Sequence, residues 1–312
     1  MKHRHLFPSS QTLRKLLVAA LPCFAAGALV ARPTTQDSAQ AGARPASGLQ
    51  TAVSFFYALS PRSGLEGGAA GEEVSINHYE IEFDAAKRVS DDMAVFFGLS
   101  DRYTDLDISG AVPLPETLHA VGLSVGARRS LADCIGPDWS GTVRLGTEFS
   151  ADSSALSDAG ATFTGAVFVS RRQSDTFSWD LGLLARSHGD LPVLPLIGAK
   201  WAFAPQWAAT LGFPETAVTY RQSERLSLQA GVGLHGGLYH VSTARAPGLG
   251  DTWLEYSEIR VGITVTYELR ENLTLTLGGG AVVDREFDYY DRDRSVDGES
   301  ASYLSLGLKT RF

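Results

Sequence analysis

From residue 51 to the end of the chain, apolar side chains recur at every second position, segment after segment. In the closing stretch "SYLSLGLKTRF" (302–312), Leu304, Leu306, Leu308, Thr310 and Phe312 fall on one side of an extended strand. Ser305, Gly307, Lys309 and Arg311 fall on the other, because successive strand side chains point to opposite faces. Val53, Phe55, Tyr57 and Leu59 repeat the pattern, as do Met93 to Leu99, Phe177 to Leu183 and Ile259 to Tyr267. Fourteen such segments can be drawn, with glycine, serine, threonine or charge on the opposite face. So few large residues on that second face leave no core for a soluble sandwich. The apolar faces need a cover from outside the chain.

The connections add a direction. Those after odd-numbered strands include 61–73, 101–116, 151–159, 243–252 and 285–301, long and polar. Those after even-numbered strands are mostly short, such as "RQSD", "APQ", "SE" and "REN". Long and short connections in alternation, with an even strand count, predict a transmembrane antiparallel up-and-down β-barrel over residues 51–312. The count is about fourteen strands, or twelve if "FPE" (213–215) does not separate two weak ones. Phe83, Trp139, Phe177, Trp179, Trp201, Phe203, Trp207, Tyr267 and Phe312 then fall on the outward face at the short-turn end, where an interfacial aromatic girdle belongs.

The start of the chain reads as an export signal. Lys2, Arg4, Arg14 and Lys15 precede the apolar run Leu16–Val30, and cleavage is expected near Ala28, or as late as Ala41. Residues 29–50 read as a flexible lead-in. Cleavage removes four of the 27 basic residues and none of the 35 acidic ones, so the exported chain is more acidic than its formal −8. That balance excludes nucleic acid as a partner. Losing Cys23 leaves Cys134 alone, which excludes an internal disulfide.

Leu304, Leu306, Leu308 and Phe312 resemble the C-terminal assembly signal of bacterial outer-membrane proteins, a terminal aromatic after alternating apolar residues. That resemblance implies export to the bacterial outer membrane, a partnership with the barrel-assembly machinery, and contact with membrane lipid and lipopolysaccharide. "KWAFAPQWAATLGFPETAVTYRQSERLSLQAGVGLHGGLYHV" (200–241) and "GITVTYELRENLTLTLGGGAVVDREFDYY" (262–290) are similar to a family of uncharacterised bacterial outer-membrane barrels, a domain of unknown function. The resemblance covers roughly residues 50–312 and brings no activity with it.

Strand parity turns Glu80, Glu82, Asp84, Arg128, Arg144, Glu148, Lys200, Arg260, Arg270, Lys309 and Arg311 into the lumen. Buried charges need water or partners. One reading is a porin-like passive channel for small polar solutes or ions, with the acidic second strand facing basic twelfth and last strands. The other is a salt-bridged plug in a closed structural or adhesion barrel. A third reading is enzymatic: His240, Ser242 and Glu255 share outward parity at the long-loop end and resemble the His-x-Ser and Glu of outer-membrane lipid A deacylases, which hydrolyse an acyl ester. Thr243 and Ala244 replace the residues that follow the serine there, and the sequence favours a protein that is not an enzyme. His78, His119, His188 and His235 lack metal spacing, and no cofactor is implied.

Overall fold

The computed structural model describes residues 48–66, 72–153, 156, 158–189, 192–242 and 249–312. The expected signal segment and most of the lead-in lie outside the described residues, as do Thr243 and Ala244. Strands β1 Leu49–Glu66, β2 Glu73–Arg88, β3 Met93–Ser109, β4 Thr117–Ser130 and β5 Trp139–Ala151 form the first part of the wall. Then come β6 Ala161–Arg172, β7 Phe177–Arg186, β8 Val193–Ala204, β9 Trp207–Gly212 and β10 Glu215–Arg221. β11 Leu226–Val241, β12 Thr252–Arg270, β13 Leu273–Tyr289, the five-residue β14 Arg294–Gly298 and β15 Ala301–Arg311 complete it.

From β1 to β13 each strand pairs antiparallel with its chain neighbours, β15 pairs with β13, and β15 also pairs with β1 from Ala52↔Arg311 to Leu59↔Leu304, which closes the sheet. Phe312 continues the seam, its amide donating to Thr51 O at 2.9 Å. The barrel wall has fourteen strands, with β14 only extending the last one upward. The two weak strands beside "FPE" are both present, as the short hairpin β9–β10. No helix among the described residues is long and apolar enough to cross a membrane.

The outward face carries the expected apolar band. Phe55, Ile81, Leu99, Leu123, Leu145, Phe163, Leu181, Ile197, Ile263 and Leu304 are all exposed large hydrophobics. Pairing of β15 with β1 leaves no terminal edge strand, which suits a lipid surround. Trp139 lies edge-on to Trp179 at 5.4 Å, and Trp207 lies 4.8 Å from Tyr220, all beside short turns. At the other end of the band, Tyr57, Tyr79, Tyr103 and His119 form one cross-strand row over β1–β4. The two aromatic levels bracket the apolar belt.

One sequence expectation fails here. Stretches 61–73, 101–116 and 285–301 were expected to be loops, yet β1, β3 and β13 run far into them. Polarity there reports only that the side chains have left the lipid. Hydrogen bonding to neighbouring strands continues above it.

Candidate functional site

The tall strands do not continue as an open tube. β11 leaves the wall at Gly236, whose φ of +146° is a conformation that glycine adopts with little strain. Below that point β11 pairs with β10 as far as Gly233, and above it with β12 alone. The upper β11–β12 hairpin crosses the mouth and docks on the far side. His240 N donates to Ser150 Oγ at 3.4 Å, and Ser242 Oγ to an Asp152 carboxylate oxygen at 2.9 Å. The mouth is therefore a smaller ring of β1–β5 and β11–β14, from which β6–β10 are left out.

That ring is filled. Leu65, Ile76, Leu106 and Leu118 from β1–β4 meet Tyr239, Leu254, Tyr256 and Phe287 from β11–β13 in one buried apolar cluster. Tyr256 stacks on Phe287 at 4.9 Å, and Tyr289 Oη donates to Pro113 O at 2.6 Å.

Beneath the cluster lies a layer of buried ion pairs. Glu258 is fully buried between two arginines, accepting from Arg260 at 2.7 Å and from Arg285 at 2.6 Å. Arg285 also donates to Ser60 and Ser63, which ties β13 to β1. Arg102, with 3% of its surface exposed, pairs with Glu148 and donates to Gly236 O at 3.0 Å. One side chain thus holds β3, β5 and the bend of β11 together. Charges taken out of water persist only with partners of this geometry. Parity missed Arg102 and Arg285 because their stretches had been assigned to loops, whereas Glu258 shares the inward parity of Arg260 and was passed over. Extending the alternation three residues past Leu99 would have placed Arg102 inward.

The lower lumen holds most of the charges read from parity. Glu80 lies beside Arg102 across β2–β3, level with the ion-pair layer. Arg144 donates to Ser124 Oγ at 3.0 Å and sits over the Phe96 ring, and Arg128 donates to Ser140 at 3.0 Å. Lys200 stands on β8 opposite Ser178, and Arg270 at the end of β12 beside the turn. The expected opposition of an acidic second strand to basic twelfth and last strands is corrected. Barrel closure puts β15 next to β1, so Lys309, Ser54 and Glu82 share one rung and Arg311, Ala52 and Asp84 the next. Acid and base lie on the same wall. Arg260 of β12, for its part, is spent on Glu258.

The enzymatic trio is not assembled. Ser242 bonds Asp152, Glu255 accepts from Arg186 at 3.4 Å, and His240 Nε2 lies 3.2 Å from Asp251. The expectation that they face lipid is also corrected: His240 and Glu255 are buried, because the hairpin that carries them has folded across the mouth. Among the described residues no cluster of three metal-ligating side chains occurs.

On the side left out of the upper ring, the wall is low. β9 has six residues and β10 seven, against seventeen in β3. Six residues at about 3.3 Å each, tilted by about 40°, rise roughly 15 Å, whereas the apolar belt of such barrels is about 25 Å tall. The Phe213–Pro214 connection therefore ends within the belt. Above it, Val193–Ile197 of β8 have no strand partner on the β9 side among the described residues, because β11 has left the wall toward β5. The inner wall at that height is apolar: Ala166, Leu184, Leu194 and Leu196 cluster there, packed by Phe168 and Phe213.

Comparison with known proteins adds a family. No functionally curated protein matches the sequence. Among solved structures, the chain is similar to the COG4313 outer membrane channel from Pseudomonas putida F1 at 13% identity, over 86% of this chain and 96% of that one, with a TM-score of 0.45. It is similar to the Pseudomonas putida toluene transporter TodX at 11% identity, over 91% and 93%, with a TM-score of 0.41. The translocator domain of the autotransporter NalP from Neisseria meningitidis matches at 10% identity, over 97% and 98%, with a TM-score of 0.38. Values this low make no statement about activity. The profile of one family, described as Domain of unknown function (DUF6268), matches residues 79–308, and the chain belongs to that family.

Proposed function

We propose that this barrel is an outer-membrane channel which takes small apolar or amphipathic solutes sideways from the membrane, with its outer mouth shut. One observation carries the reading: the β9–β10 hairpin stops inside the apolar belt, next to an apolar patch on the inner wall. A solute dissolved in lipid would meet no paired wall at that height. It would pass over Phe213 onto Leu194, Leu196 and Leu184 without crossing the ion-pair layer. From there it would leave through the charged, hydrated lower lumen, on the side of the short turns.

The outward apolar band, the two aromatic levels and the asymmetry of loops and turns support the outer membrane, with the turns in the periplasm. The filled mouth favours this route over the axial passage of small polar solutes expected from the sequence. No catalytic step enters the reading, since the three residues that could form an esterase have separate partners. The Phe312 seam supports recognition of the last strand by the assembly machinery.

The test is accumulation of an apolar fluorophore, N-phenylnaphthylamine, by cells that display equal amounts of parent and variant barrels. Leu184→Arg and Leu196→Arg put a charge on the apolar patch and are expected to cut the barrel-dependent uptake several-fold. In planar bilayers the parent should conduct poorly. Unchanged uptake in both variants would overturn the lateral route. A large steady conductance whose selectivity shifts toward anions in Glu80→Lys/Glu82→Lys would restore the polar pore.

A further inference from the structure

We infer that the outer wall carries a binding groove for one glycerophospholipid, on the side of the barrel that bears the short turns. Outward faces of β2–β5, together with Leu49 at the start of β1, border an open depression of about 510 Å³ with an almost wholly apolar lining. Two registers explain its shape. Ala85, Phe97, Val125 and Leu145 form one rung across β2–β5, and Lys87, Val95, Ala127 and Val143 form the next toward the turns. Ala85 and Ala127 are the small side chains of these two rungs. The floor drops between them, and Phe97, Val125 and Leu145 make the rim. Lipid covers the whole outward face of such a barrel. Here it meets a trough that can hold a chain along its length.

Charge chooses the kind of occupant. Lys87 is the one cation among the lining residues, it is exposed, and it sits at the lip nearest the turns. An ammonium at the edge of the apolar belt reaches toward the head-group level and is stabilised by an anion there. One rung further toward the turns, Arg129 opposes Met93 and pairs with Asp92 at 2.9 Å. On β6, Arg171 lies over the Trp139 ring at 5.2 Å, still on the outward face. Lys87, Arg129 and Arg171 thus form a basic row under an apolar trough. A ligand with one acyl chain in the trough and a phosphate diester at Lys87 matches both parts. Lipopolysaccharide does not, because its head groups belong at the opposite, long-loop end. Which leaflet the turns face rests on the orientation proposed above, whereas the groove and its lip do not.

Native mass spectrometry of the folded barrel tests this, with phosphatidylglycerol and lipid A titrated separately into detergent. The parent should hold one phosphatidylglycerol at activation energies that strip the remaining lipid and all the lipid A. Ala127→Trp fills the trough, and Lys87→Glu reverses the lip. Each should lower the retained fraction about tenfold, the equivalent of about 1.4 kcal/mol. Ile263→Trp, on the outward face of β12, should retain lipid like the parent. Heat-modifiable gel mobility reports that each variant is folded, and Lys87→Glu, an exposed change, keeps the test open should the tryptophan variant not assemble. Retention equal to the parent in Lys87→Glu would overturn the groove. So would preferential retention of lipid A, or a lipid-free dimer that the same substitutions abolish. Fluorophore uptake plays no part in this readout, so the groove and the lateral route stand or fall separately.

Discussion

Arg102 shows how much of the closure rests on single side chains. Its guanidinium satisfies Glu148 and the carbonyl of the residue at which β11 bends, from a position almost without solvent. Arg102→Ala would leave Glu148 buried without its cation, a change that costs about 3–5 kcal/mol when such pairs are broken. The loss should appear as a lower temperature for the heat-modified gel shift. Bilayer recordings should also show a conductance absent from the parent, because the β11–β12 hairpin loses its anchor. Arg62→Ala serves as the contrast. Its ion pair with Asp107, at 2.7 Å, is half exposed, and exposed pairs contribute only about 0–1 kcal/mol. A parent-like Arg102→Ala variant by both measurements would mean that the hairpin is held by the apolar cluster alone.

At the scale of the element, β11 is one strand with two surroundings. Gly236→Val places a β-carbon at a φ where L side chains are strained, at a cost of about 1–3 kcal/mol, and the carbonyl of Tyr256 lies in its way. The upper hairpin should lift, the lower barrel should assemble as before, and added protease should cut near Asp251 in the variant first. The lower half of β11 was legible in the sequence. Leu226, Leu228 and Val232 alternate with small or polar residues, and their apolar side meets lipid. The upper half alternates just as regularly, yet its two faces meet protein, since Tyr239 joins the apolar cluster and His240 packs edge-on to Trp253 at 5.3 Å. Period two reports a strand and its two sides, but not what each side faces once the strand leaves the wall. For the same reason Glu255 looked lipid-facing and instead pairs with Arg186. The low wall could be counted from "WAATLGFPETAVTYR" (207–221), but its meaning depends on the height of its neighbours, which polar composition had hidden.

At the scale of the whole molecule, closure joins the two ends of the chain, so assembly and topology can be tested together. Deleting Phe312 removes both of its hydrogen bonds with Thr51 and the aromatic at the seam. Folded, heat-modifiable barrel should fall several-fold, whereas Arg311→Ala, on the inner face, should assemble normally. Cysteines at Asp107 and Asp293 should react with an impermeant maleimide on intact cells, and one at Ser223, in the β10–β11 turn, should not. The exposed Cys134 has to be replaced first. Labelling at Ser223 with none at Asp293 would turn the barrel upside down.

The upper ring is made by the first five strands and the last few, and β6–β10 contribute nothing to its apolar core. Apart from the Arg186–Glu255 pair, those middle strands answer to their neighbours in the lower wall. A lineage could therefore shed or duplicate a hairpin there, changing the girth of the barrel by two strands at a time, while the sealed cap is inherited intact. Variation in length among relatives should then gather between residues 161 and 221, and the two ends of the chain should change together.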